Sequence, residues 1–191
     1  MRKLTIVCDV DDVLFNLLPY WVDIINKRHG TSVNAADITQ WDMQETFPSL
    51  TKEQIRAPLL EREFWEHIPT INGACECLER LVEDGHKVYL CTATDHRNFK
   101  YKVEALQEHF PMIPKKSIMS VWDKSLIACD VFIDDAIFNL QGKYVSYKIL
   151  VDQSYNQVGF KTNKRTRFRV CNWQEIYRII CDIASEDDKQ R

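Results

Sequence analysis

The chain has 191 residues, 45% of them hydrophobic and 28% charged, with five Gly and six Pro. That composition excludes a disordered or collagen-like protein, and the length suits one domain with an insertion or two small ones. Twenty-five Lys plus Arg against 28 Asp plus Glu leave a net charge of −3, which argues against a protein that coats nucleic-acid backbone.

No apolar run approaches the roughly 18 residues needed to cross a bilayer. The opening stretch Met1 to Val7 resembles a signal peptide only briefly. Asp9, Asp11 and Asp12 interrupt it, and no small-residue cleavage site follows. The seven Cys (8, 75, 77, 91, 129, 171 and 181) are scattered through apolar stretches without zinc-ligand spacing, so reduced thiols and a cytoplasmic location are expected.

Residues 4–8 (LTIVC) read as a strand buried on both faces, ending in acids. The stretch 15–68 then breaks the rhythm. Leu17, Leu18, Trp21, Val22 and Ile25 form a helical face that stops at Gly30. Thr51 with Gln54 forms a capping box opening a helix toward Leu59 and Leu60. From residue 74, helix and strand alternate: an amphipathic helix to Asp84-Gly85, a strand at 87–91, a helix at 98–109, strands at 117–119, 130–133 and 147–151, and a last helix carrying Trp173, Ile176, Ile180 and Ile183. The expected fold is α/β: a doubly wound, Rossmann-like parallel sheet with helices on both faces and a small helical cap inserted after the first strand. The expected division is a core of 1–14 and 69–191 and a cap of 15–68.

Five acids fall at strand ends: Asp9, Asp11 and Asp12 after the first, Asp134 and Asp135 after the fourth. Sites in open parallel sheets form at the carboxyl ends of the strands, so the two groups can meet. Asp9 and Asp11, two apart on an extended strand, are roughly 7 Å apart on one face. Crowded carboxylates repel unless cations neutralise them. A hard divalent ion with oxygen ligands, helped by a lysine, is the natural partner.

The order Asp9-x-Asp11-x-Val13-Leu14, Thr92, Lys124, Asp134-Asp135 resembles the four motifs of the haloacid dehalogenase superfamily. Within it, DVDDVLFN (9–16), FWEHIPTINGA (64–74), YLCTA (89–93), DKSLIACDVFIDD (123–135) and ILVDQSYN (149–156) are similar to the 5'(3')-deoxyribonucleotidase family. The resemblance implies a Mg2+-dependent phosphomonoesterase acting on deoxyribonucleoside monophosphates. Asp9 would be the nucleophile and Asp11 the acid/base. Thr92 and Lys124 would hold phosphate. Asp135 would bind the metal with Asp9 and the backbone carbonyl of Asp11, with Asp134 in support. Leu17, Trp41 and Phe64 would line the base pocket, with the helical insertion covering the site. Two departures stand out: Asp12 where the family usually has Gly, and Ala93 where it commonly has Ser, with Thr94 as a substitute.

The remaining residues read more plainly. Lys100 and Lys102 are second candidates for phosphate contact but, on an amphipathic helix, are expected to face solvent. The five His show no ligand spacing, and the basic stretch Lys161 to Arg169 reads as a solvated turn leading to an edge strand. The expected partner is a small nucleoside monophosphate, not a nucleic-acid polymer or a membrane, with a homodimer left open. A phosphatase of the same superfamily for another ester, such as a sugar phosphate, is the alternative. A receiver-like signalling domain fits less well, because there the acid pair precedes the phosphorylated Asp.

Overall fold

The computed structural model describes residues 1–40, 42–163 and 165–186. The apolar runs form one six-stranded sheet from β1 (Thr5–Cys8), β2 (Lys87–Thr92), β3 (Ile118–Ser120), β4 (Cys129–Asp134), β5 (Val145–Val151) and β6 (Arg167–Val170), in the order β3-β2-β1-β4-β5-β6. Every pairing is parallel. The expected parallel α/β sheet is therefore present, with the basic stretch leading into its edge strand. The chain runs outward from β1 to β3 and then returns to the other side of β1, so the strand order reverses between β1 and β4. Parallel sheets leave a crevice at such a point.

The insertion contains α1 (Leu17–His29), α2 (Met43–Thr46), α3 (Lys52–Arg56) and α4 (Arg62–Glu66). Gly30 ends α1 in the left-handed conformation, φ 66°, and its N–H returns to the Asn26 carbonyl. Thr51 and Gln54 cap α3 reciprocally, as the sequence indicates. The helix expected to reach Leu60 stops at Arg56, however, and Ala57–Leu60 is a 3-10 turn. Pro58 has no N–H to continue the α ladder. Leu18, Val22, Ile25, Ile38, Met43, Phe47 and Ile55 give this segment an apolar cluster of its own. Its two ends lie side by side: Phe15 pairs antiparallel with Thr70, Asn16 N–H donates to the Pro69 carbonyl at 2.8 Å, and Ile71 N–H donates to the Leu14 carbonyl at 2.7 Å.

The remaining helices are α5 (Ala74–Glu83), α6 (His96–His109) and α7 (Trp173–Glu186). Successive strand residues point to opposite faces. Ile6, Cys8, Leu90, Ile133 and Ile149 therefore pack with apolar residues of all three helices. Val7, Cys91, Phe132 and Leu150 pack with Ile127, Leu140 and Phe160 on the other side. Helices were expected on both faces. Among the described residues the second face is instead covered by loops and by 3-10 turns at Lys124–Leu126 and Asn139–Gln141. The links from β3 to β4 and from β4 to β5 are too short for a crossover α-helix.

Candidate active site

Register brings the acids together. Cys8 is level with Ile133 in the neighbouring strand, and Asp9 N–H donates to the Ile133 carbonyl at 2.8 Å, so the residues that follow β1 meet those ending β4. Ligand oxygens of Asp9, Asp134 and Asp135 all lie within 4.8 Å of one another, and all three residues are buried. Lys124 enters from the 3-10 turn after β3. Its ammonium lies 2.7 Å from Asp9 Oδ1 and 2.8 Å from Asp134 Oδ2.

The two acids of the pair have different surroundings. Asp134 is wholly buried and accepts from Lys124 Nζ, Ala136 N–H at 2.8 Å and Asn139 Nδ2 at 3.0 Å. Its lone pairs are largely taken. Asp135 lines the cleft, and its Oδ2 accepts from Tyr155 Oη at 2.6 Å.

Burial, reinforced by the Asp9 charge and opposed by Lys124, pushes the Asp134 carboxyl up to about 7. Burial with Asp134 and Asp9 nearby lifts Asp135 well above the usual carboxylate range. For Lys124, burial alone would lower the pKa. The two carboxylates it touches outweigh burial and raise it. Five carboxylates thus share two ammonium groups, those of Lys124 and Lys102. Oxygen ligands and surplus negative charge suit a hard divalent cation.

Asp12 takes φ 52°, the left-handed region that favours glycine. Its side chain offsets that cost by accepting from Leu18 N–H at 2.9 Å at the start of α1, and it lies 3.3 Å from Tyr155 Oη. Burial, opposed by the Leu18 hydrogen bond, pushes its carboxyl up to about 7.

A cleft of about 550 Å³ opens over these groups. Asp9, Asp11, Asp12, Lys124 and Asp135 are among its polar lining, and Leu17, Trp21, Met43, Ile55, Trp122 and Phe138 among its apolar walls. That is ordinary size for a small-molecule site. Leu17 is part of the cleft wall. Trp41 lies outside the described residues.

Several other expectations need correction. Phe64 does not line the cleft. It is 3% exposed and packs against Tyr20 (ring centroids 4.9 Å apart) and Trp65 (5.2 Å), because its helix turns it toward the core. Thr92 ends β2 as expected but is fully buried, and its hydroxyl accepts from Lys102 Nζ at 3.0 Å. Ala93 takes the place on the cleft wall, and Thr94 donates to Asn98 Oδ1 at 3.0 Å. Lys100 is exposed, whereas Lys102 is 1% exposed, with Nζ 2.7 Å from Asp11 Oδ2. The signal for Lys102 is present in the sequence. Asn98, Lys102, Ala105 and Leu106 lie three or four residues apart, so the lysine falls on the buried stripe of α6. Tyr155 and Asn139 are missed as well, and only the block 149–156 hints at the former.

Known proteins resemble the chain along nearly its whole length. A 5'(3')-deoxyribonucleotidase of Bacillus subtilis (strain 168) is 32% identical over 179 residues, covering 93% of this chain and 99% of the relative. Among solved structures, a HAD family hydrolase from Deinococcus radiodurans R1 with bound phosphate and sodium aligns with a TM-score of 0.63 at 12% identity, covering 95% of this chain and 96% of that one. The HAD-hydrolase YfnB from Bacillus subtilis, bound to magnesium, aligns with a TM-score of 0.59 at 13% identity, covering 94% and 99%. At such identities these two speak for the fold alone. The family described as 5' nucleotidase, deoxy (pyrimidine), cytosolic type C matches residues 2–186. The chain therefore belongs to this nucleotidase family, hydrolases of phosphoric monoesters.

Proposed function

We propose that the protein hydrolyses deoxyribonucleoside 5'- or 3'-monophosphates by way of an aspartyl-phosphate, with Mg2+ as cofactor. The observation that carries this reading is Lys124 bridging Asp9 and Asp134 at the ends of β1 and β4, with Asp135 facing the same cleft.

In this reading Asp9 attacks phosphorus, the ester P–O bond breaks, and Asp11 gives a proton to the departing alkoxide. Asp11 then takes a proton from water, which attacks the acyl phosphate, releasing phosphate and restoring the Asp9 carboxylate. Lys124 keeps Asp9 aimed and neutralises charge on the transferring group. Asp9, Asp135 and the Asp11 carbonyl would hold the metal. Asp134, its oxygens already engaged, supports by fixing Lys124. When bound, the ion polarises the phosphoryl oxygens. The cleft wall of Leu17, Trp21, Met43 and Ile55 suits a nucleoside, with the inserted helices as its cover.

All seven cysteines are free thiols, and no helix among the described residues is long and apolar enough to cross a membrane. Both observations support a cytoplasmic enzyme.

The direct test is phosphate release across nucleoside monophosphates and sugar phosphates, with Mg2+ or with chelator. Deoxynucleotides should lead, and chelator should abolish release. A sugar phosphate preferred over every nucleotide, or full activity in chelator, would overturn the reading.

The raised carboxyls give the metal a pH signature. Asp12 and Asp134, near 7 when folded against about 4 unfolded, hold protons that the unfolded chain releases. The metal-free protein should therefore lose stability as pH rises from about 4 through 7. Mg2+ competes with those protons. The rise in Tm on adding Mg2+ should be small at about pH 5.5 and larger at about pH 8. Equal rises at both would count against a carboxylate metal site.

A further inference from the structure

We propose that Lys102 is a positioning residue that holds one oxygen of Asp11 and so fixes the orientation of the carboxylate for proton transfer. This rests on the reading of Asp11 as acid/base. α6 carries the Lys102 ammonium beneath the end of β2, where its side chain is 2% exposed. Nζ lies 2.7 Å from Asp11 Oδ2, 3.0 Å from Thr92 Oγ1 and 4.6 Å from the centre of the Trp65 ring. The ammonium is thus hemmed in by a carboxylate, a hydroxyl and an aromatic face.

Asp11 Oδ1 is buried and has no hydrogen-bond partner among the described residues. An ionised carboxylate rarely leaves a buried oxygen without a donor, because doing so forfeits the hydration of that oxygen. The asymmetry has a use. Oδ2 is pinned, so the carboxylate cannot rotate freely, and Oδ1, shielded from solvent, is the oxygen whose lone pairs no group among the described residues occupies. Asp11 borders the cleft, while Lys102 is not part of its lining. The lysine therefore acts through Asp11 and not on the phosphate. Burying an ammonium is costly and persists only where a well-placed partner compensates.

Substitution Lys102→Met keeps the apolar stem against Trp65 and removes the charge. With a deoxynucleotide and Mg2+, kcat should fall about 10²-fold, the lower range for a general acid/base, while KM stays within about threefold. The decisive comparison is made in the Asp11→Asn background. With no carboxylate to orient, adding Lys102→Met should change the rate of phosphoenzyme breakdown by less than about twofold. Should Lys102→Met melt below the assay temperature, Lys102→Gln keeps one N–H for Oδ2 and carries the same comparison with a smaller loss.

Wild-type kcat in Lys102→Met, a raised KM at unchanged kcat, or an equal loss in both backgrounds would overturn the proposal. These outcomes are separable from failure of the underlying reading. Asp11→Asn alone turning over nucleotides at the wild-type rate would remove Asp11 from the acid/base role, whatever Lys102 does.

Discussion

Asp9→Asn should abolish turnover of every phosphate ester, on the order of 10⁵-fold or more, as loss of a covalent nucleophile does. An amide oxygen is too poor a nucleophile to open the first step, so no phosphoenzyme should form. Asp11→Asn should fail at a different point. A nucleotide needs its departing alkoxide protonated, and the Asn has no acid to offer, so even the first step slows. Nitrophenolate leaves without that help, and Asp9 can still be phosphorylated. Hydrolysis then lacks a base for the water. Nitrophenyl phosphate should therefore give a burst of about one nitrophenol per active site, followed by a stall. The trapped group should be released by hydroxylamine, as an acyl phosphate is. Continuous wild-type turnover by Asp11→Asn would dismiss it as acid/base. A burst from Asp9→Asn instead would mean that the two carboxylates have exchanged roles.

The second large effect is expected at Lys124. Lys124→Met leaves the Asp9 and Asp134 carboxylates buried beside one another without the ammonium that now bridges them. Losing one partner of a buried ionic cluster costs about 3–5 kcal/mol. The cost depends on pH. Asp134 already sits near 7 with the lysine present, and removing the cation raises it further. At about pH 5.5 the carboxyl holds a proton and the loss shrinks, whereas at about pH 8 the variant must bear the repulsion or take up a proton against the solution pH, so the loss is larger. Urea unfolding of the metal-free variant at both pH values should show that ordering. Activity should fall about 10²–10³-fold, the usual effect of deleting one preorganised donor from a charged transition state. Unchanged stability at the higher pH would remove Lys124 as the counter-charge, and unchanged kcat/KM would remove it from catalysis.

The residues legible in the sequence are those whose fate is local or doubly constrained. LTIVC and DVFI read as central strands because both faces are buried, and Gly30 and Thr51 with Gln54 mark helix ends by their own chemistry. The five acids announce themselves by following those strands. Lys102 was hidden by its charge, although its spacing from Asn98 and Leu106 placed it inward. Phe64 could not be placed, since an aromatic on a short helix packs against whatever tertiary neighbours arrive, here Tyr20 and Trp65. Thr92 was located correctly along the strand but not in depth, because only the packed α6 shows which groups lie above and below it. The short links around β4 were readable, yet the alternating pattern suggested helices where 3-10 turns suffice.

The side-by-side backbone at Leu14–Phe15 and Pro69–Ile71 has a consequence for descent and engineering. The chain leaves the sheet and returns through two adjacent backbone segments joined by one isolated bridge and clasped by hydrogen bonds in both directions. Part of what lies between them suits an exchangeable cassette: Leu18, Val22, Ile25, Ile38, Met43, Phe47 and Ile55 cluster among themselves, whereas Phe64, Trp65 and Ile68 belong to the core of the sheet. A longer or shorter segment spliced into that self-packed part, with Phe64, Trp65 and Ile68 kept, should meet the same clasp and leave Asp9, Lys124 and Asp134 in place. Selection could then rework which molecules are admitted while the machinery that cleaves them stays fixed. A grafted cassette from a distant relative should transfer preference without transferring chemistry.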